Sequence, residues 1–382
     1  MLAVQKFLRD ARFATVEEAF AALTAELGVK VRDYPERGVA LLDYDQIESP
    51  KSHPIVIECR SLIVDRITLN VVSRKFDRFF NLGECPDFYI DFDFANSFVM
   101  EKADGSLIGV WYDQKADRWE VSTRGMAFAE GEHMMGGTFR DRVIAAFGFE
   151  TEDQFQDTFD KLCLKGATYI FEYISPENRI VTRYAKSEMV LLGVRFIAEC
   201  GAQMPIGMMA DLVGEFQLQG FSVRLPKMYD AVTDSSALVE LADALPDLQE
   251  GFVVWDPASG KRVKIKAKTY LVAHKLRGND TVPTRKNLMI LVLEGEVDEF
   301  LAYFPEWTES IRECQTEVAE LERGLLKVWD ASKDIESQKE FALQVKDVRG
   351  SGVLFEARKK TQEPVHVFHG MELTKKLRLF GL

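Results

Sequence analysis

Apolar residues along this chain recur at two different periods, and the switch between them divides it. Thr15 and Glu18 form a capping-box pattern, Ala19, Phe20, Leu23 and Leu27 follow at helical spacing, and Gly28 supplies a stop, so a helix is predicted between Thr15 and Gly28. From Val29 to about Ser122 the texture changes to short β-branched and aromatic runs broken by turn residues. Leu62-Ile63-Val64 and Leu107-Ile108-Gly109-Val110-Trp111-Tyr112 are examples, and they predict antiparallel strands. Helical spacing returns between Phe139 and Lys161 and between Gly207 and Gln219, with strands at Thr168–Ser175 and Met189–Ile197. Gly251-Phe252-Val253-Val254-Trp255, the turn residues 256–260, and Arg262-Val263-Lys264-Ile265-Lys266 predict a hairpin. The order is α+β rather than regular βαβ.

Strand signals stop around Gly278-Asn279-Asp280-Thr281-Val282-Pro283-Thr284, and nearly everything from Asn287 to Val348 has helical periodicity. The expected organisation is therefore a domain over 1–278, built of antiparallel sheets with flanking helices, and an all-helical domain over 285–382. Ile311, Cys314, Val318, Leu321, Leu325 and Val328 step by three and four, the stripe of a helix buried against partner helices. With so few heptads, a core within one chain is expected rather than a dimer seam, and the protein is expected to be a monomer. No internal repeat or low-complexity segment interrupts the pattern.

Composition changes this picture little. The 382 residues, 47% hydrophobic and 29% charged, suit a folded protein with a sizeable core. The net charge of -13 argues against coating nucleic acid by bulk electrostatics and leaves site-level binding open. Five scattered cysteines without a close ligand spacing fit a reducing compartment, and neither a signal sequence nor a membrane-spanning run is evident, so a cytoplasmic location without membrane contact is expected. The charge is uneven: nine Lys and Arg stand between Lys261 and Lys286 against one acid, Asp280, which predicts a basic strip able to engage phosphates.

Candidate chemistry begins at Glu101-Lys102-Ala103-Asp104-Gly105-Ser106, a charged turn between apolar strands that presents an amine at the mouth of a sheet. A K-x-D-G tetrapeptide alone recurs by chance. Here it is followed by an acidic strand, Tyr169-Ile170-Phe171-Glu172-Tyr173, then by Glu250-Gly251, then by Lys264 and Lys266. Lysine is a covalent nucleophile once deprotonated, and the cations Lys264 and Lys266, with partial burial, are expected to lower the pKa of Lys102. Glu172 and Glu250 fall among apolar and aromatic neighbours, where a carboxylate needs a cation or a metal.

This ordered set resembles the covalent nucleotidyltransferase superfamily of polynucleotide ligases and capping enzymes. Within it, Glu58-Cys59-Arg60-Ser61, Ser73-Arg74-Lys75-Phe76-Asp77-Arg78-Phe79-Phe80-Asn81 and Phe171-Glu172-Tyr173-Ile174-Ser175-Pro176-Glu177-Asn178-Arg179-Ile180-Val181 resemble the tRNA-repairing RNA ligases of the T-even phages and their relatives. The resemblance implies an ATP-grasp-like ligase domain without an OB barrel, followed by a helical domain that holds RNA. It implies an ATP-dependent RNA ligase that joins 5′-phosphate and 3′-hydroxyl ends through a lysyl-AMP on Lys102 and an adenylylated RNA, with Mg²⁺, or Mn²⁺ in its place, as the metal. A tRNA broken in its anticodon loop is the implied substrate, and a phage or other viral source is suggested.

By the same resemblance, Lys264, Lys266, Glu172 and Glu250 share the catalytic site with Lys102. Arg60, Arg78, Phe80, Asp104, Gly105, Arg124 and Tyr270 would contact the nucleotide. Glu172 and Glu250, with Asp298 as a further candidate, would contact the metal. Arginine at 78 and 124 stands where close relatives carry lysine, which keeps the charge and alters the contact geometry. A DNA ligase, a GTP-dependent capping enzyme, and a catalytically idle RNA-binding scaffold are the alternatives. His133 in a Gly-rich connection and the other histidines show no ligand pattern.

Overall fold

A computed structural model describes the chain except residues 46, 132–136, 178–179, 199–200, 231–233, 247, 278–282, 296, 298–299 and 302–303. His133 and Asp298 therefore lie outside the described residues, as do Asn178 and Arg179. The chain forms two compact units, Met1–Leu271 and Val272–Leu382.

The first unit opens on the predicted helix, Val16–Leu27, whose Thr15 hydroxyl accepts from the Glu18 amide and whose stop, Gly28, is left-handed. Its buried face covers a four-stranded sheet in the order β1 (Val29–Tyr34), β2 (Val39–Tyr44), β3 (Arg60–Asp65), β4 (Val71–Ser73). The opposite face of that sheet packs Val39, Leu41 and Ile63 on Trp111 and Phe128.

Two five-stranded sheets follow. The remaining strands are β5 (Phe80–Asn81), β6 (Phe98–Glu101), β7 (Ser106–Asp113), β8 (Arg118–Ser122), β9 (Ala167–Ile174), β10 (Glu188–Phe196), β11 (Val223–Arg224), β12 (Met228–Tyr229), β13 (Gly251–Trp255) and β14 (Arg262–Lys266). One sheet has the order β11-β10-β9-β7-β8 and the other β12-β6-β13-β14-β5. The α+β expectation holds, with one correction: β14 pairs with β5, and β10 with β11, in parallel, so the sheets are mixed. The single helical stretch expected from 139 to 161 is two helices, Phe139–Phe147 and Glu152–Leu162, because Gly148 at φ +94° caps the first and Thr151 starts the second. Their apolar faces cover the β9–β7 sheet through Phe147, Phe155 and Phe159. The hairpin forms as predicted; Asp256 accepts from Ala258 N at 2.9 Å, and Gly260 takes φ +72°.

The second unit contains helices only among its described residues, and no strand follows β14. Its long helix, Thr308–Ser332, buries Ile311, Cys314, Val318, Leu321 and Leu325, the expected stripe, whereas Val328 is half-buried. No helix among the described residues is long and apolar enough to cross a membrane.

Candidate active site

The pairing of β6, β13 and β14 arranges side chains in rows. Phe98 lies opposite Trp255 and Trp255 opposite Arg262; Met100, Val253 and Lys264 form the next row. Lys102 extends the pattern, because its amide donates to Gly251 O at 2.9 Å and Gly251 pairs with Lys266. Side chains alternate along a strand, so Val99, Phe252, Val254, Val263 and Ile265 enter the apolar core on one face while Arg262, Lys264 and Lys266 share the other. That second face looks onto Leu107, Glu172 and Leu192 of the β9–β7 sheet, with Phe76 and Phe79 between them. The cavity between them measures about 170 Å³, and Arg60, Lys102, Glu172, Lys264 and Lys266 all line it.

Glu250 ties the lysines together. Its Oε2 accepts from Lys102 Nζ at 2.6 Å and its Oε1 pairs with Lys266 Nζ at 2.9 Å. The expected lowering of the Lys102 pKa is therefore corrected. Burial does press it down, but Glu250, Glu172 and Asp104 outweigh burial and hold it above the ordinary lysine value. Burial would likewise raise Glu250, yet Lys102 and Lys266 keep it below the usual carboxylate range. The lowered lysine is Lys264, at about 6, through burial and the charges of Arg60, Lys102 and Lys266. Its Nζ lies 4.6 Å from the Phe79 ring centre. Glu172 is pushed up to about 8, chiefly by burial, with Glu250 and Asp104 adding repulsion against the pull of Lys102.

Asp104 does not face this pocket. Its Oδ2 accepts from Val181 N and Thr182 N, both at 2.8 Å, and its Oδ1 from the Tyr270 hydroxyl at 2.8 Å, so it clamps the lysine-bearing turn to two distant segments. Tyr184 adds a fourth tie: its hydroxyl oxygen accepts from the Asp104 amide at 2.8 Å. Gly105 N donates to Glu172 Oε1 at 3.1 Å, which brings the acidic strand to the turn. A Cβ on Gly105 would lie 2.2 Å from Tyr173 O, and one on Gly251, at φ +131°, would lie 2.0 Å from Ile265 O. Both glycines are required by close backbone approach.

The remaining predicted residues form a second cationic group. Arg60 opens β3 and stands 4.9 Å from the Phe79 ring centre, with a buried Nη1 that has no hydrogen-bond partner among the described residues. Arg78 and Arg124 stand 4.0 and 4.8 Å from the centre of one ring, Tyr44, and Arg124 pairs with Asp43 at 3.2 Å. Arg78 Nη1 is also buried without a partner among the described residues. Phe80 is 1% exposed and packs edge-on against Phe88, as a core aromatic does. Among the described residues of the basic strip, Lys261 pairs with Asp91, Lys268 with Asp243 and Arg285 with Glu317, while Arg262, Lys264 and Lys266 line the pocket.

Sequence reasoning missed three residues here. Arg262 continues the lysine strand at the same two-residue period, a signal that was readable. Tyr44 ends β2, and no local pattern marks it. Lys75, 1% exposed, lies within the segment 73–81 that carries the resemblance, but nothing local marks it as a buried tie. Its Nζ donates to Ser61 Oγ at 2.7 Å, Ser122 Oγ at 2.8 Å and Thr123 O at 3.1 Å, tying the Arg60 strand to the Arg124 turn, and burial lowers its pKa to about 7.

A pocket that sets one lysine against a buried and a half-buried glutamate, walled by lysine and arginine, defines a nucleotidyltransferase-type site. Residues 58–273, more than half of the chain, match the RNA ligase family, and the chain belongs to it. It is 34% identical over 298 residues to a protein of Autographa californica nuclear polyhedrosis virus named as a bifunctional polynucleotide kinase/RNA ligase; the match covers 74% of this chain and 40% of that one. It is 24% identical over 360 residues to an RNA ligase of Rhodothermus phage RM378, covering 78% of this chain and 80% of the relative. Among solved structures it is similar to an RNA ligase of Naegleria gruberi, at 19% identity and a TM-score of 0.39, over 53% of this chain and 58% of that one.

Proposed function

We propose that this protein is an ATP-dependent RNA ligase that joins a 5′-phosphate to a 3′-hydroxyl. The observation that carries the reading is the placement of Lys102 Nζ, 2.6 Å from Glu250, in a pocket it shares with Glu172, Arg60, Lys264 and Lys266. In the first step the Lys102 Nζ–phosphorus bond forms at the α-phosphate of ATP, and the bond from that phosphorus to the oxygen bridging the β-phosphate breaks. Pyrophosphate departs with the electron pair, and Lys102 gives up a proton. AMP then passes to the RNA 5′-phosphate, and an RNA 3′-hydroxyl displaces it. Lys264 and Lys266 offset charge on the α-phosphate, while Arg60, Arg78 and Arg124 suit the outer phosphates through bidentate guanidinium contacts.

The donor set fits a divalent cation such as Mg²⁺ or Mn²⁺. Among the described residues no cluster of three or more His, Cys, Asp or Glu forms a complete cage. Half-buried Glu172 lines the pocket and buried Glu250 stands against its Lys102 and Lys266, and Mg²⁺ is usually held by one or two carboxylates together with nucleotide phosphates and water. A cation on Glu172 and Glu250 would neutralise the charge that keeps Lys102 protonated and would offset charge on the phosphates. Glu172, raised to about 8 by burial, is a carboxylate that such a cation would stabilise in its ionised form.

The helical unit from 272 to 382 is suited to holding RNA by analogy with the family, and a cleaved tRNA stem-loop is the substrate class that the phage resemblance favours. The test has two parts. Incubation with labelled ATP or GTP and Mg²⁺ should place label on the protein from ATP; label from GTP alone would sink the reading. Comparison of single-stranded RNA, nicked duplex and nicked tRNA as sealing substrates should rank nicked tRNA first, and equal sealing of all three would remove the tRNA assignment.

A further inference from the structure

The strand that carries Lys264 and Lys266 reads R-x-K-x-K, and the two-residue period places Arg262 on their face. Arg262 lines the pocket, is 5% exposed, and has its guanidinium 4.0 Å from the Phe76 ring centre and 4.8 Å from that of Trp255. Its Nη2 donates to Gln203 Oε1 at 2.5 Å. Among the described residues no carboxylate lies within ion-pair distance of it. Asp77, on the same side, is already engaged by Arg74 and Arg195. A guanidinium held out of water without a counter-ion is costly unless an anion arrives to meet it. Burial and the charges of Arg195 and Arg60 accordingly push its pKa down.

We propose that Arg262 is a binding residue for the pyrophosphate portion of ATP, the deep end of a cationic lane that starts at Lys102. Same-face neighbours on a strand lie about 7 Å apart, so Lys266, Lys264 and Arg262 space their charges along the pocket floor at intervals a triphosphate can bridge with extended side chains. Arg60 acts electrostatically on both Lys264 and Arg262, so it flanks the lane along that stretch. With the α-phosphate at Lys102, the outer phosphates point toward Arg262. The depth of Arg262 favours a small leaving group over an RNA backbone, and its planar fork suits a phosphate better than a lysine would.

The assignment rests on the ligase reading, and one experiment separates the two. The parent, Arg262→Gln and Arg262→Lys are labelled with ATP, then discharged with increasing pyrophosphate, and each is also given pre-adenylylated RNA with a 3′-hydroxyl acceptor. Arg262→Gln should raise the half-discharging pyrophosphate concentration and the KM for ATP about tenfold, with Arg262→Lys between it and the parent. Any loss with pre-adenylylated RNA should be several-fold smaller, because that step handles no pyrophosphate. Unchanged pyrophosphate dependence, or an equal loss with pre-adenylylated RNA, would overturn the role of Arg262. A parent that takes no label from ATP would overturn the ligase reading instead.

Discussion

Lys102 and Glu250 are joined by a 2.6 Å ion pair, and that pair holds the lysine in its protonated form. A lysine must be a free amine to attack phosphorus, so in the proposed reaction Lys102 becomes reactive only once the charge on Glu250 is engaged elsewhere. Replacing Glu250 by Gln keeps the shape and removes the charge. The rate of self-adenylylation should then rise with pH through a more acidic midpoint than in the parent, while its plateau falls because the Lys102 and Lys266 contacts are weakened. A midpoint that moves toward alkaline pH would show that Glu250 does not control the lysine. Glu250→Ala, which takes the carboxylate from two half-buried ammonium groups, should cost about 2 kcal/mol in chemical denaturation.

Glu172 gives a pH dependence of opposite origin. Its folded-state pKa of about 8 lies above the ordinary 4.5, so the folded protein binds a proton that the unfolded chain has released. Its contribution to stability is full below pH 4.5 and is lost as pH rises through about 8. Glu172→Gln should flatten the fall in stability over that window, measured without divalent cations by denaturation at a series of pH values. A variant with the parent's slope would show that another group carries it.

Lys264, lowered to about 6, is largely neutral at pH 7 before a phosphate meets it. Phosphates beside it favour the charged form, so ATP binding without divalent metal should take up protons at pH 7. Calorimetry in buffers of different ionisation enthalpy measures this directly. The uptake should vanish in Lys264→Met; proton release in the parent would contradict the assignment.

Gly105 and Gly251 leave no room for a side chain, with 2.2 and 2.0 Å from a built Cβ to the nearest carbonyl oxygen. Gly105→Ala and Gly251→Ala should each destabilise the fold by about 3 kcal/mol. Gly251→Ala should also reduce adenylylation, since Gly251 O accepts from the Lys102 amide. Thermal or chemical unfolding together with ATP labelling checks both.

Much of this site was legible in the sequence because its residues ride on regular strands. The two-residue period placed Lys264 and Lys266 on one face, and the hairpin register set them opposite Gly251 and Val253. Protonation was not legible. The charge order suggested that Lys264 and Lys266 would lower Lys102, whereas the fold gives the nearest contact to Glu250, 148 residues away, and lowers Lys264 instead. The clamp on Asp104 was hidden for the same reason: Val181, Thr182 and Tyr270 reach it from segments that no local pattern links to the turn. Lys75 shows the limit most plainly, since a basic residue in a basic stretch reads as solvated, yet tertiary packing buries it among two serine hydroxyls and a carbonyl.

The most direct test of the account is peptide mapping by mass spectrometry after incubation with ATP and Mg²⁺. AMP should be found on Lys102, and Lys102→Ala should carry none and should seal no RNA from ATP. AMP on Lys75, Lys264 or another residue, or sealing by Lys102→Ala at the parent's rate, would contradict it.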